Sequence, residues 1–278
     1  MMTNRLIALF AAALALTACA GKMTLRDRAV FLAEDYQVYR PQTAEQVPVV
    51  LLFHGCGGLY NDTGEKDIMK EYAEVAMAEG YAAIIVDSFT PRGIEFREAT
   101  RKVCTGRRLR GRDRAGDVVA ALAWAEHQPW AKPDSFVLAG WSHGGWSVME
   151  AMIMDLETDW PRHMKKPEVD LYDQLAGVYL TYPFCGFPSR ARNKGWVRPV
   201  PTSILTAEND TVAKEGPCEE AFARMAESGV PMDVEMYAGV THAFDENDQT
   251  PESSFKYDAA AAERAHRRFA AFLAGLES

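Results

Sequence analysis

An α/β fold with a mostly parallel central sheet and helices on both faces is predicted from three observations. Apolar runs such as Val47–Phe53 and Phe136–Ala139 are continuous rather than alternating, which is how strands covered on both faces read. These runs alternate along the chain with segments of helical spacing, the pattern of helices layered on a parallel sheet. They also end in short loops rich in glycine or polar residues, so connections should be right-handed and binding groups should collect beyond the carboxyl ends of the strands. At 278 residues, 48% hydrophobic and 25% charged, the chain suits one well-buried domain without internal repeats.

Taken in order, residues 1–18 read as a signal segment, 19–46 as a tether with one or two edge strands over Val30 to Arg40, and 47–278 as the main domain. Val47–Phe53 is a central strand leading into the Gly-rich loop His54-Gly55-Cys56-Gly57-Gly58. Lys66 to Glu79 has helical spacing through Ile68, Tyr72, Val75 and Ala76, with Gly80 as its stop. Tyr81 to Val86 is the next buried strand, and Asp113 to His127 the next helix. After the strand Phe136–Ala139, a helix is expected over Ser147 to Leu156. Three further strands are expected at Leu175 to Tyr182, Thr202 to Ala207 and Asp233 to Tyr237, with helices at Pro217 to Glu227 and Ala259 to Leu276. Asp155 to Asp173 is polar and reads as a surface loop, since it lacks the apolar residues a lid would need.

Met1 to Arg5 carries one positive charge, Leu6 to Leu16 is unbroken apolar sequence, and small residues follow. That is the layout of a secretory signal peptide, and the run is too short for a stable membrane span. Leu16-Thr17-Ala18-Cys19 resembles the lipobox of bacterial lipoproteins, which implies lipid attachment at Cys19. Ala20 resembles the signal for passage to an outer membrane, so a periplasmic, lipid-anchored protein is expected. The other four cysteines, Cys56, Cys104, Cys185 and Cys218, are an even number suited to disulfides in an oxidising compartment. Of the three possible pairings, Cys185 with Cys218 is favoured because each follows one of two neighbouring strands, which leaves Cys56 with Cys104. No Cys-x-x-Cys or paired-histidine pattern occurs, so no metal site is expected. The formal net charge of −9 disfavours a nucleic-acid partner. Arg101, Lys102, Arg107, Arg108, Arg110, Arg112 and Arg114 form one basic segment, read first as a solvated loop and helix start and second as an attractor for anionic substrates or lipid head groups.

Gly140-Trp141-Ser142-His143-Gly144 places one serine where an apolar strand gives way to a helical pattern. Such a turn is a nucleophile elbow, whose glycines leave room for the strained backbone that exposes the hydroxyl. A serine hydroxyl needs a base, and the base needs a group to fix its tautomer. On this kind of fold the order is serine, acid, histidine. His242 follows a strand and precedes the last helix, whereas His163 lies in the polar excursion and His266 beside Arg267 and Arg268, where a solvated role is expected. Asp210 lies deeper in the loop after its strand than the runner-up Glu208. Oxyanion donors are expected from the backbone amides of His143 and Cys56. Cys56 could itself be a nucleophile, but it lacks an elbow.

The segments His54-Gly55-Cys56-Gly57-Gly58, Asp87-Ser88-Phe89-Thr90-Pro91-Arg92-Gly93, Gly140-Trp141-Ser142-His143-Gly144-Gly145, Tyr182-Pro183 and His242-Ala243-Phe244-Asp245, in that order, resemble the dienelactone hydrolase family. The resemblance runs from about Val47 to the C-terminus and implies an α/β-hydrolase fold and cofactor-free hydrolysis of an ester or lactone. It maps the nucleophile, acid and base onto Ser142, Asp210 and His242, and Arg92 onto an arginine that holds the substrate carboxylate. His54 and Trp141 are further expected substrate-binding residues. The best-known members use a cysteine nucleophile held by a glutamate after the first central strand. Here Ser142 stands in that place and the strand ends in His54-Gly55-Cys56, so a different carboxylic ester is the expected substrate. Other activities compatible with the residues are a peptidase, a transacylase, or a lipoprotein binding module without turnover.

Overall fold

The computed structural model describes residues 22–167, 171–249 and 253–276. The signal segment and Cys19 lie outside the described residues. A seven-stranded sheet runs in the order β1-β5-β2-β6-β7-β8-β9, with a separate β3-β4 hairpin. Its strands are β1 (Gln37–Tyr39), β2 (Val47–Phe53), β5 (Ala82–Ile85), β6 (Ala131–Trp141), β7 (Leu175–Thr181), β8 (Thr202–Asn209) and β9 (Met232–Thr241), and the hairpin is β3 (Tyr60–Asn61) with β4 (Gly64–Glu65). All sheet pairings are parallel except β1 on β5. The helices are α1 (Leu25–Ala33), α2 (Ile68–Ala78), α3 (Phe96–Glu98, continued by a π turn to Val103), α4 (Gly111–Glu126), α5 (His143–Met152), α6 (Glu215–Glu227) and α7 (Ala259–Leu276).

The continuous apolar runs sit where both sheet faces are covered. Six of the seven residues of β2 are buried, with side chains alternating between two cores. Val49, Leu51 and Phe53 face the core shared with α4 and α5. Val50 and Leu52 face the one shared with α2 and α7. In α7, Ala261, Ala265, Phe269 and Leu273 recur every fourth residue and are the buried stripe. Strand β9, at the sheet edge, carries exposed Val234 and Met236 on its outer side.

Of the one or two edge strands expected over Val30 to Arg40 one forms, and a helix precedes it. Leu25–Ala33 is a helix, begun by a capping box in which Thr24 and Asp27 satisfy each other's backbone amides. Only Gln37–Tyr39 forms a strand. The helix is fixed by a contact that sequence spacing does not display: Arg28, buried on α1, donates to Asp117 of α4 at 2.8 Å. Arg92 reaches the same carboxylate at 2.7 Å. Burial alone would raise the pKa of Asp117, but Arg92 and Arg28 outweigh it and hold the carboxyl below its usual value. Elsewhere α5 begins four residues earlier than its spacing suggested, directly after the elbow serine. Between Asp155 and Asp173 the described residues form turns and one short 3₁₀ segment, Tyr172–Gln174, consistent with a loop. Two disulfides close, Cys56–Cys104 and Cys185–Cys218, the favoured pairing. Among the described residues no helix is long and apolar enough to cross a membrane.

Candidate active site

Strand β6 delivers Trp141 into the sheet and the chain then reverses at Ser142, whose φ of 50° and ψ of −112° lie where a non-glycine residue is strained. The turn is held from both sides: Ser142 N donates to Thr181 O and Phe184 N donates to Ser142 O, each at 3.0 Å. Space for it comes from Gly140 and Gly144. A Cβ at Gly144 would stand 1.9 Å from Phe53 O, and one at Gly140 would stand 2.7 Å from the backbone of Gly144. Two other non-glycine residues with positive φ, Tyr182 and Ala243, flank the same spot. Strain therefore concentrates around this serine.

Ser142 Oγ and His242 Nε2 are 2.8 Å apart, and His242 Nδ1 and Asp210 Oδ2 are 2.6 Å apart. The three side chains come from the ends of β6, β8 and β9. Asp210 is oriented by its own loop, since Oδ1 accepts from the amides of Val212 and Ala213 at 2.7 Å each. The runner-up Glu208 is engaged elsewhere, accepting from Gly239 N at 2.7 Å. His163 is exposed beside Asp113. His266 is half-buried, its ring edge-on against Tyr72 at 4.5 Å.

The amide of His143 is the first of α5, at the positive end of a ten-residue helix. Its imidazole is buried, and burial together with the neighbouring Arg114 cation lowers its pKa to about 3, so the ring is neutral. The Gly55–Gly57 loop lies opposite, with a Cβ at Gly55 reaching within 3.6 Å of Ser142 Cβ. Cys56 is locked to Cys104, so it offers no free thiol.

Arg92, His54 and Trp141 do not line the space around Ser142. The guanidinium of Arg92 is captured by Ser88 O and Asp117, on the side of the sheet occupied by α1 and α4. His54 is buried under its loop against Phe89 at 4.5 Å, and burial, then Arg114, pushes its pKa well down. Trp141 is wholly buried among Tyr72, Tyr179 and Phe269. Adjacent to Ser142 in sequence, it belongs to the core because successive strand residues face opposite sides. The basic segment does not present one charged face. Lys102 and Arg108 pair with Glu98, Arg112 with Asp159, and Arg114 is buried, donating to Ser88 Oγ and His54 O. Burial brings Arg114 down to about 10, so it stays cationic beneath the elbow.

Two clefts meet at Ser142, Cys56 and Cys104. One, of about 240 Å³, is walled by Val103, Trp146, Phe184, Phe187 and Val212, with Arg110 at its rim. The other, of about 490 Å³, contains His242 and polar side chains including Asn61, Lys66, Glu246, Asp248 and Gln249. Also unanticipated is a buried network behind the histidine. Tyr182 packs on His242 with ring centres 4.7 Å apart, and both its hydroxyl and that of Tyr72 donate to Asp245. The segments Tyr182-Pro183 and His242-Ala243-Phe244-Asp245 carried that signal without stating the contact. Among the described residues no cluster of side chains suited to a metal ion occurs.

Three solved structures share this architecture. A Klebsiella pneumoniae protein assigned to the dienelactone hydrolases superposes with a TM-score of 0.62 at 14% identity, over 86% of this chain and 92% of that one. A dienelactone hydrolase-like promiscuous phosphotriesterase from metagenomic libraries gives 0.59 at 17% identity, over 87% and 92%. Esterase 2 of Thermogutta terrifontis, phosphonylated by cyclosarin, gives 0.59 at 17% identity, over 84% and 86%. In sequence, a probable dipeptidyl-aminopeptidase B of Fusarium vanettenii is 32% identical over 116 residues, which is 40% of this chain and only 12% of that protein. The model of the dienelactone hydrolase family matches residues 35–158 and 169–276, nearly the whole folded region, and the chain belongs to that family.

Proposed function

We propose that this protein is a serine hydrolase that cleaves a carboxylic ester or lactone through an acyl-enzyme. The observation that carries the reading is the continuous hydrogen-bonded chain from Ser142 Oγ through His242 to Asp210. In the proposed reaction Ser142 Oγ attacks the carbonyl carbon as His242 Nε2 takes its proton, and Asp210 holds the Nδ1–H tautomer and stabilises the imidazolium. The amides of His143 and Cys56 receive the oxyanion. His242 then gives the proton to the departing alkoxide, and water activated by the same nitrogen releases the acid and restores Ser142.

Replacement of Ser142 by Ala should lower kcat on p-nitrophenyl acetate by on the order of 10⁵-fold or more, with the fold intact. Retained activity in that variant would refute the assignment. The phosphonylated state of the Thermogutta esterase suggests a direct probe. A fluorophosphonate should label Ser142 in the native protein and leave the unfolded protein unmodified, whereas a non-catalytic binding module would not react. The aminopeptidase likeness supports a second reading, amide hydrolysis, which dipeptide p-nitroanilides would reveal. We further propose that the protein is exported and lipid-anchored at Cys19. Its two disulfides support an oxidising compartment, and mass analysis of the mature N-terminus tests the anchor.

A further inference from the structure

The two clefts are not equivalent, and their difference assigns the two halves of the substrate. In an acyl-enzyme mechanism the base that deprotonates the serine must hand that proton to the leaving oxygen. His242 lines the larger cleft and His143 the smaller one, with Ser142 at the junction of both. The alcohol half of the ester is therefore on the His242 side, in the larger cleft, and the acyl half lies between Val103, Trp146 and Phe184.

One wall of the larger cleft, formed by Glu246 and its neighbours, asks for a hydrogen-bond donor on that alcohol. Glu246 Oε2 accepts from Lys66 Nζ at 2.7 Å. Among the described residues no donor lies on Oε1, which would stand 3.9 Å from a Cβ at Gly55, itself 3.6 Å from Ser142 Cβ. An ionised carboxylate only accepts, so its open oxygen beside the reacting centre is matched by an O–H or N–H of the substrate. Lys66, 8% exposed, sits between Glu246 and Asp248 at 2.7 and 3.8 Å. Burial alone would lower the pKa of Lys66, but the two carboxylates outweigh it and keep the ammonium charged. One ammonium for two carboxylates leaves the cluster net negative, so what favours a polyol is the O–H it can donate to Oε1, which a quaternary ammonium lacks. Asn61, bound to Asp248 at 2.6 Å, and Gln249 extend the same wall.

Resting on the serine-hydrolase reading, we propose that the preferred substrate is an ester of an apolar acyl group with a neutral polyhydroxylated alcohol, a glycerol or sugar, whose hydroxyl donates to Glu246 Oε1. The test compares 3-phenylpropanoyl esters of ethanol, glycerol, methyl glucoside and choline on the full-length protein, with fluorophosphonate labelling of Ser142 in parallel. One hydrogen bond to a charged group should give the glyceryl and glucosyl esters a kcat/KM about tenfold or more above the ethyl ester. In Glu246→Ala the glyceryl-to-ethyl ratio should fall by about the same factor. Being measured within one preparation, that ratio is insensitive to partial loss of folded protein, and Asn61→Ala gives a second ratio if Glu246→Ala does not fold. A wild-type ratio near one, a preference for the choline ester, or an unchanged ratio in the variant overturns the polyol assignment while labelling of Ser142 leaves the hydrolase reading standing. Absence of labelling overturns both.

Discussion

Asp245 should make the stability of this protein fall as the pH rises through the weakly acidic range. Its carboxylate is fully buried behind His242, and burial raises its pKa from 3.8 to about 6, although the hydroxyls of Tyr182 and Tyr72 pull the other way. Between these two values the native protein holds a proton that the unfolded chain has released, so stability from this group is complete below about pH 4 and is lost as the pH climbs to about 6. At 1.36 kcal/mol for each pH unit of displacement, the loss is about 3 kcal/mol. Asp245→Asn is of similar shape and cannot ionise. Urea denaturation of both proteins at pH 4, 5, 6 and 7 isolates the term, because all other titrations are common to the pair. Since the unfolded chain is already partly ionised at pH 4, the unfolding free energy of wild type relative to the variant should decline by about 2 kcal/mol across the series. A difference constant within about 1 kcal/mol would show that Asp245 keeps an ordinary carboxylate pKa and that its burial is offset by the two tyrosines.

Other perturbations follow from particular contacts. Asp210→Asn should lower kcat by on the order of 10³ to 10⁴ while leaving the melting temperature within a few degrees, since the amide can still occupy the turn but no longer fixes the His242 tautomer; steady-state kinetics and a thermal scan together check it. Gly144→Ala should destabilise by more than about 3 kcal/mol, because its Cβ would meet the β2 backbone at 1.9 Å, whereas Gly216→Ala in α6, where nothing lies within 4 Å, should be neutral or slightly stabilising. Melting temperatures of the two variants give the contrast. Asp117→Asn should cost about 3 to 5 kcal/mol by leaving Arg28 and Arg92 without a counter-charge, and limited proteolysis should then release the α1 segment first.

The legible parts of this chain are those decided locally or by a strand's position. Continuous apolar runs identify β2, β6 and β7 because parallel strands need no polar face. Ser142, Asp210 and His242 could be picked out because each directly follows a strand, β6, β8 and β9, and a parallel sheet delivers all such loops to one edge. What spacing could not show is long-range capture. Arg92 follows β5 at the right edge, yet Asp117, on another element, draws its guanidinium to the far side. The same carboxylate ties down α1 through Arg28, 89 positions away, a helix ahead of the edge strand β1 that spacing did not show.

The substrate-facing residues were hidden for a related reason. Trp141 adjoins Ser142 but points into the core, because alternation along β6 assigns it to the face opposite the cleft. The walls of the two clefts instead come from segments as distant as Asn61, Val103, Phe184 and Glu246. The Cys56–Cys104 disulfide joins two of these segments at the boundary between the clefts. A site of this kind separates into two layers. Its reacting groups are fixed by backbone geometry that recurs wherever a strand turns sharply into a helix, and they are visible in a few residues. Its selectivity depends on which loops happen to converge on that turn, so Glu246, rather than any neighbour of Ser142 in sequence, is the residue on which the identity of the alcohol should turn.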